Sequence, residues 1–291
     1  MVSAAMPTPE TRAHLLISCP DRTGVVAAVT QLLWALGANI VDSQQHTEAE
    51  DARFFMRLAF DLEGLADGMD ALRQAFEPVA QRFEMRWQLT QAARPKRMVL
   101  FVSKQDHCAT ELLWLWKRGE LQAELPFVIG NHPEAADWTR PYGIDFHHVP
   151  ITPDTKPAAE ARHLELLQGK VDLVVLARYM QIVSADFLEA LAVPVINIHH
   201  SFLPAFIGAN PYAQARRRGV KLIGATAHYV TPELDAGPII EQDVHRVGHR
   251  HEVEDLVRLG RQVERTVLAR AVVSHLEDRV LVHGNRTVVF D

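Results

Sequence analysis

The stretch Val195-Ile196-Asn197-Ile198-His199-His200-Ser201, followed by Gly224-Ala225-Thr226-Ala227-His228 and then Leu234-Asp235-Ala236-Gly237-Pro238, decides the reading of this chain. The first segment reads as a buried strand that runs into a loop. Side chains alternate along a strand, so Asn197 and His199 share one face while Ile196 and Ile198 take the other. An amide and an imidazole at the C-terminal end of a strand lie where open α/β sheets carry their sites. The second segment reads as another strand, bringing His228, and the third as a turn holding Asp235 and Gly237. Any one of these polar groups reads as readily as a structural hydrogen-bonding residue. Together, an amide donor, an imidazole and a carboxylate suffice for acyl chemistry.

Working outward, residues 171–177 form a near-continuous apolar run, as expected of a parallel strand buried on both faces. Further strands are expected at 98–102, 126–129, 145–149, 222–230 and 238–245. A loop is expected over 103–108. Helices are expected at 111–118, 157–167, 210–218 and 252–275, with one more, capped by Ser184, that runs to Leu191. A terminal hairpin over 280–290 turns at Gly284-Asn285. Alternating strands and helices of this length predict an α/β fold with a doubly wound, mostly parallel, Rossmann-like sheet over residues 98–291.

Upstream the pattern changes. Residues 1–12 are polar and Pro-bearing, a loose tail. Strands at 14–18, 40–47, 54–62 and 84–89 and helices at 25–36 and 68–81 give the order βαββαβ, a ferredoxin-like sandwich over 13–89. Residues 90–97, polar with a proline, read as the linker.

The composition narrows the function. A chain of 291 residues with 48% hydrophobic content has room for two cored domains. A net charge of −6 argues against a nucleic-acid partner, and the one basic run, Arg216-Arg217-Arg218, reads as a solvated helix end. No apolar stretch reaches the length of a membrane span. Two cysteines offer neither a disulfide framework nor a four-ligand zinc set. With no signal-peptide pattern visible, the expected compartment is the cytoplasm. Fifteen histidines raise the alternative of a metal hydrolase, but His245, His249 and His251 lack the His-Glu-x-x-His spacing, and no metal is expected.

Two resemblances add to this reading. Cys19-Pro20-Asp21-Arg22-Thr23-Gly24-Val25-Val26, followed by Leu36-Gly37-Ala38-Asn39-Ile40, resembles an ACT domain. The resemblance implies a ligand loop that includes Asp21, Gly24, Gly37 and Asn39, an amino-acid effector, and assembly into a homo-oligomer. Ile196-Asn197-Ile198-His199, Ser201-Phe202-Leu203-Pro204 and Glu233-Leu234-Asp235-Ala236-Gly237-Pro238-Ile239-Ile240 are similar to the folate-dependent formyltransferases. That resemblance implies a catalytic trio of Asn197, His199 and Asp235. It also implies a folate-binding segment over Arg178, Tyr179, Met180, Gln181, Ile182 and Val183.

Departures from the transferases direct the choice within the family. Ser103-Lys104-Gln105-Asp106-His107-Cys108 stands where the glycinamide ribonucleotide enzymes have a Gly-rich phosphate loop, and His200 stands where the transferases have proline. With the ACT domain in front, the whole chain resembles the deformylases of formyltetrahydrofolate. The reaction so implied is hydrolysis of 10-formyltetrahydrofolate, as substrate and with no cofactor, to formate for purine synthesis and tetrahydrofolate, balancing the one-carbon pool. His200 and His228 are candidates for orienting the water. Asp235 is left open between taking a proton and holding His199. The loop 103–108 is expected to cover the acceptor site. A folate-dependent formyltransferase with an unrecognised acceptor, or an inert amino-acid-sensing module, are the alternatives.

Overall fold

The computed structural model describes residues 12–65, 68–203 and 211–291. The expected tail lies outside these residues except for Arg12. So does the start of the helix expected at 210.

The described chain forms two units, one comprising residues 12–95, 277–283 and 288–291, the other residues 96–276 and 284–287. In the first, β1 (Arg12–Pro20), α1 (Val25–Ala35), β2 (Asn39–Glu48), β3 (Arg53–Asp61), α2 (Gly68–Arg82) and β4 (Arg86–Gln91) reproduce the expected βαββαβ order. The antiparallel sheet has the order β2-β3-β1-β4. Leu15 and Ile17 of β1 and Met56, Leu58 and Phe60 of β3 pack with Val29 and Leu33 of α1 and with Leu72 and Phe76 of α2. Helix α1 stops at Gly37, whose φ of 85° suits glycine. A Cβ there would strike the Gly64 carbonyl.

The end of the chain was expected to belong wholly to the second domain, but residues 277–283 and 288–291 belong with the first. The reason lies in β3, whose residues Phe54–Phe60 are buried on both faces. The helices cover one face. On the other, Arg57 reaches Asp42 at 3.0 Å and donates to the Asp278 and Glu277 carbonyls at 2.9 and 3.1 Å, while Phe55 meets the His283 ring at 5.5 Å.

The expected linker also shortens to 92–95, because β4 runs to Gln91 and β5 starts at Lys96. Its polar residues are those of a strand end: Lys96 and Arg97 pair with β6 (Ala123–Glu124), and the Arg97 guanidinium grips both oxygens of Asp172.

The second unit holds β5 (Lys96–Val102), α3 (His107–Lys117), β6, β7 (Phe127–Gly130), α4 (Ala135–Thr139), β8 (Asp145–His148), α5 (Lys156–Leu167), β9 (Leu173–Ala177), α6 (Ala185–Leu191), β10 (Val195–His199), α7 (Pro211–Arg218), β11 (Leu222–Tyr229), β12 (Ile239–Arg246) and α8 (Val253–Leu276). The hairpin strands β13 (Val280–His283) and β14 (Arg286–Val289) follow, turning at Gly284-Asn285 as expected. The main sheet runs β12-β11-β10-β9-β5-β7-β8. Strands β10, β9, β5, β7 and β8 are parallel, and β11 and β12 add antiparallel. All five residues of β9 are buried, as the apolar run requires. Ser184 caps α6, accepting from the Phe187 N–H at 3.1 Å. Helix α3 begins at His107 rather than near Glu111, because Cys108 and Ala109 already belong to its buried face with Leu112 and Leu113. The strand order reverses at β5 and β9, so the loops after these strands open a crevice at their C-terminal ends.

Candidate active site

That crevice is a cleft of about 660 Å³, lined by residues 178–183, by Asn197, His199 and His200, and by Leu234 and Asp235. Asn197 and His228 face each other across the β10–β11 ladder, which places their side chains on one face of the sheet. A bulge between Ala227 and His228 re-aims β11 at this point. Asp235 follows in a turn at φ 53°, a left-handed conformation that aspartate tolerates better than most residues. The turn is held from outside by Asn285, which donates to the Ala236 carbonyl at 2.9 Å. Gly237 lies so close to the Tyr229 carbonyl that no Cβ would fit.

The side chains form one network. The His199 Nδ1 lies 3.1 Å from Asp235 Oδ2, and the His228 Nε2 lies 3.5 Å from Asp235 Oδ1. The hydrogen bond from His199 is the main reason that the Asp235 carboxyl lies well below the usual carboxylate range. The His228 Nδ1 donates to the Tyr229 carbonyl at 2.9 Å, which leaves its Nε2 to accept from the Asn197 amide at 3.3 Å. One amide N–H of Asn197 therefore remains for a ligand oxygen. The His199 Nε2 is buried and has no partner among the described residues. A buried ring nitrogen left open beside a cleft is the position of a reacting group.

Thr226 steadies the loop that leaves His199. It accepts from the Leu203 N–H at 3.1 Å and donates to the Ser201 carbonyl at 3.0 Å, while Gln242 donates to both Thr226 and the Leu203 carbonyl.

The other candidates fall out differently. The His200 ring sits 5.3 Å from His199 and 6.3 Å from Tyr212. Burial and the nearby Arg178 push its pKa down to about 4, so the ring is neutral at physiological pH. Met180, Ile182 and Leu234 expose apolar surface at the cleft. Tyr179 borders the cleft, but its ring turns into the core, edge-on to Phe101 at 5.1 Å. In the first unit, Asp21, Gly24, Gly37 and Asn39 are all exposed. Asn39 donates to Asp61 at 3.5 Å. No hydrogen bond among the described residues joins Asp21 or Gly24 to Gly37 or Asn39.

A second cluster, which the sequence reading missed, lines the same cleft. Glu264 of α8 is only 1% exposed. Its Oε1 accepts from the Tyr212 hydroxyl at 2.6 Å, and its Oε2 meets His107 at 2.8 Å and Arg178 at 3.3 Å. Burial pushes the Glu264 carboxyl up, but His107, Arg178 and Tyr212 outweigh it and hold it at about 2. Arg178 also donates to Gln105 at 3.0 Å. Two side chains of the 103–108 loop, Gln105 and His107, are thus committed to this cluster.

His107, Cys108 and Glu264 place one donor atom each within 4.8 Å of one another. Within this cluster Arg178 supplies a cation to Glu264, and burial pushes the Cys108 thiol well above its usual range. The expected non-cluster of His245, His249 and His251 stays apart from the cleft: His245 lies in β12, His249 is exposed, and the His251 Nδ1 accepts from the Gly248 N–H.

Comparison with known proteins agrees with this architecture. Residues 96–272 match the formyl transferase family model and residues 13–77 the ACT domain model. A formyltetrahydrofolate deformylase of Mycobacterium tuberculosis is 56% identical over 279 residues, spanning 95% of this chain and 90% of that protein. The chain belongs to the formyltetrahydrofolate deformylases. A second member, from Bacillus subtilis, is 53% identical and spans 97% of this chain and 95% of its own. The crystal structure of a deformylase from Pseudomonas syringae superposes with a TM-score of 0.94 at 49% identity, covering 97% of this chain and 95% of that one. The family assignment carries the expected α/β class for both domains. No helix among the described residues is long and apolar enough to cross a membrane.

Proposed function

We propose that this chain hydrolyses 10-formyltetrahydrofolate to formate and tetrahydrofolate. The observation that carries the reading is the open, buried Nε2 of His199 beside the Asn197 amide, with Asp235 behind the ring. The activity named for the deformylases that align along nearly the whole chain supports it. The pterin lies against the 178–183 segment, whose exposed Met180 and Ile182 offer it apolar surface.

With its Nδ1–H on Asp235, neutral His199 has a lone pair on Nε2. There it takes a proton from water as the water oxygen bonds to the formyl carbon. Asn197 donates its free N–H to the developing oxyanion, a contribution of about 3–4 kcal/mol in comparable sites. The imidazolium, held by Asp235, shares that oxyanion through Nε2–H. It then passes the proton to N10 as the C–N bond breaks. Asp235 serves to hold His199 rather than to take the water's proton, because a carboxylate held this far below its ordinary range is a weak base.

His200 and His228 orient the water and Asn197. Gln105 and His107 are both taken up by the Arg178–Glu264 cluster, which supports water rather than a larger molecule as the acceptor. The chemistry uses no metal or other cofactor, and exhaustive chelation should leave the rate unchanged. Loss of activity restored by zinc would contradict this.

The reaction belongs to the cytoplasm, where it returns formate for purine synthesis and rebalances the one-carbon pool. The ACT domain binds a small amino acid at Gly37 and Asn39 and assembles the chain into a homo-oligomer. An Asn39 substitution should abolish the effector response and spare basal turnover. Calorimetry that finds no amino-acid binding would reduce the domain to an assembly element.

A further inference from the structure

We propose that Glu264 is the positioning residue of this site: it fixes the folate-binding segment through Arg178 and the reactive histidines through Tyr212. The inference rests on the reaction proposed above.

A buried carboxylate that keeps its charge incurs a desolvation penalty of several kcal/mol, which only well-placed partners offset. Glu264 has three such partners, and two of them, Arg178 and Tyr212, line different parts of the cleft. Arg178 is the first residue of the 178–183 segment and sits at φ 60°, a conformation that an arginine adopts only under constraint. The constraint is its guanidinium, whose Nε lies 3.0 Å from Gln105 Oε1 and 3.3 Å from Glu264 Oε2. The second arm runs from Glu264 to the Tyr212 hydroxyl. From there it passes to the His200 ring at 6.3 Å and on to the His199 ring at 5.3 Å.

Gly260 provides independent support for the second arm. It lies in the middle of α8, one turn before Glu264, where glycine costs about 1 kcal/mol relative to alanine. A Cβ at this position would overlap the Tyr212 phenol. The helix gives up propensity so that the Tyr212 phenol can come close to it and reach Glu264.

The test is steady-state kinetics of formate release from 10-formyltetrahydrofolate by folded full-length variants. Tyr212→Phe cuts only the second arm and should lower kcat about tenfold with KM within about twofold of wild type. Glu264→Gln keeps the size but leaves Arg178 without its counter-ion, and should also raise KM about tenfold. Gly260→Ala should favour the helix yet reproduce the kcat loss of Tyr212→Phe. A merely structural role would reduce the folded fraction and leave the kinetics per folded molecule unchanged.

Tyr212→Phe and Gly260→Ala at wild-type kcat would overturn the proposal, as would folded Glu264→Gln at wild-type KM. If Glu264→Gln does not fold, the other two variants decide. If the wild type releases no formate, the reaction is wrong, and calorimetry with tetrahydrofolate then reads the first arm. Weaker binding by Glu264→Gln would support that arm, and equal binding would overturn it.

Discussion

Asp235 and Glu264 are two ionised carboxylates that line one cleft, and they are finished differently. Glu264 is 1% exposed and closed, with Tyr212 on one oxygen and His107 and Arg178 on the other. Asp235 sits in a strained turn and holds a histidine whose far nitrogen is left open. A buried polar group with every partner in place fixes geometry. One that ends in an unpartnered atom beside a cleft is free to meet a ligand there. The difference separates the chemistry of this site from the frame that holds it.

The sharpest way to break the comparison is Asp235→Asn. The shape is kept, but the carboxylate that holds the His199 imidazolium is lost. Turnover should fall at least about a hundredfold, more than for any variant of the Glu264 cluster. A folded Asp235→Asn with near-normal kcat would remove Asp235 from the mechanism and with it the distinction. The next test is His200→Gln. Since His200 is neutral down to about pH 4, it contributes no titration to the activity profile between pH 5 and 9. The variant removes the link between Tyr212 and His199, so it should lose at least about the tenfold in rate expected of Tyr212→Phe, and keep the acid limb of kcat/KM where it is in the wild type. A displaced limb would make His200 the titrating group.

The smallest effect is on stability. Glu264 is depressed, so its contribution is present above the usual carboxylate range and fades only as pH falls through about 2. Asp235 is depressed as well. Acid above pH 4 should therefore act through buried neutral histidines instead. Burial pushes His163 of α5 down to about 4 from 6.5. The unfolded chain then takes up a proton that the folded one refuses, and stability is lost as pH falls from about 6.5 toward 4. The gap amounts to roughly 3 kcal/mol at most. His163→Leu should flatten the fall in denaturation midpoint between pH 7 and 5. An unchanged slope would place the acid sensitivity elsewhere, with His200, likewise pushed down to about 4, as the suspect.

The two carboxylates also differ in how far the sequence reveals them. Asn197, His199 and Asp235 were legible because strand alternation and a Gly-Pro turn place them, and because they lie in short motifs that resemble a known family. His228 was legible as a residue but not as the partner of Asn197, which depends on antiparallel register. Glu264 falls in a helix whose apolar stripe reads as core, and its three partners come from α7, the start of α3 and the loop after β9. Gly260 was the one visible signal, a glycine inside a strong helical pattern. The fold follows the same division. Both element orders could be read from periodicity. The placement of 277–283 and 288–291 in the first unit could not, although the apolar residues on both faces of β3, interrupted only by Arg57, are consistent with cover on both sides.

The most direct test of the central claim is to incubate the pure full-length protein with 10-formyltetrahydrofolate in buffer without any acceptor, following formate and tetrahydrofolate together. If the open His199 nitrogen activates water, formate should appear in step with tetrahydrofolate and continue through many turnovers. A formyl group that stays on the folate until an amine acceptor is added would contradict the account.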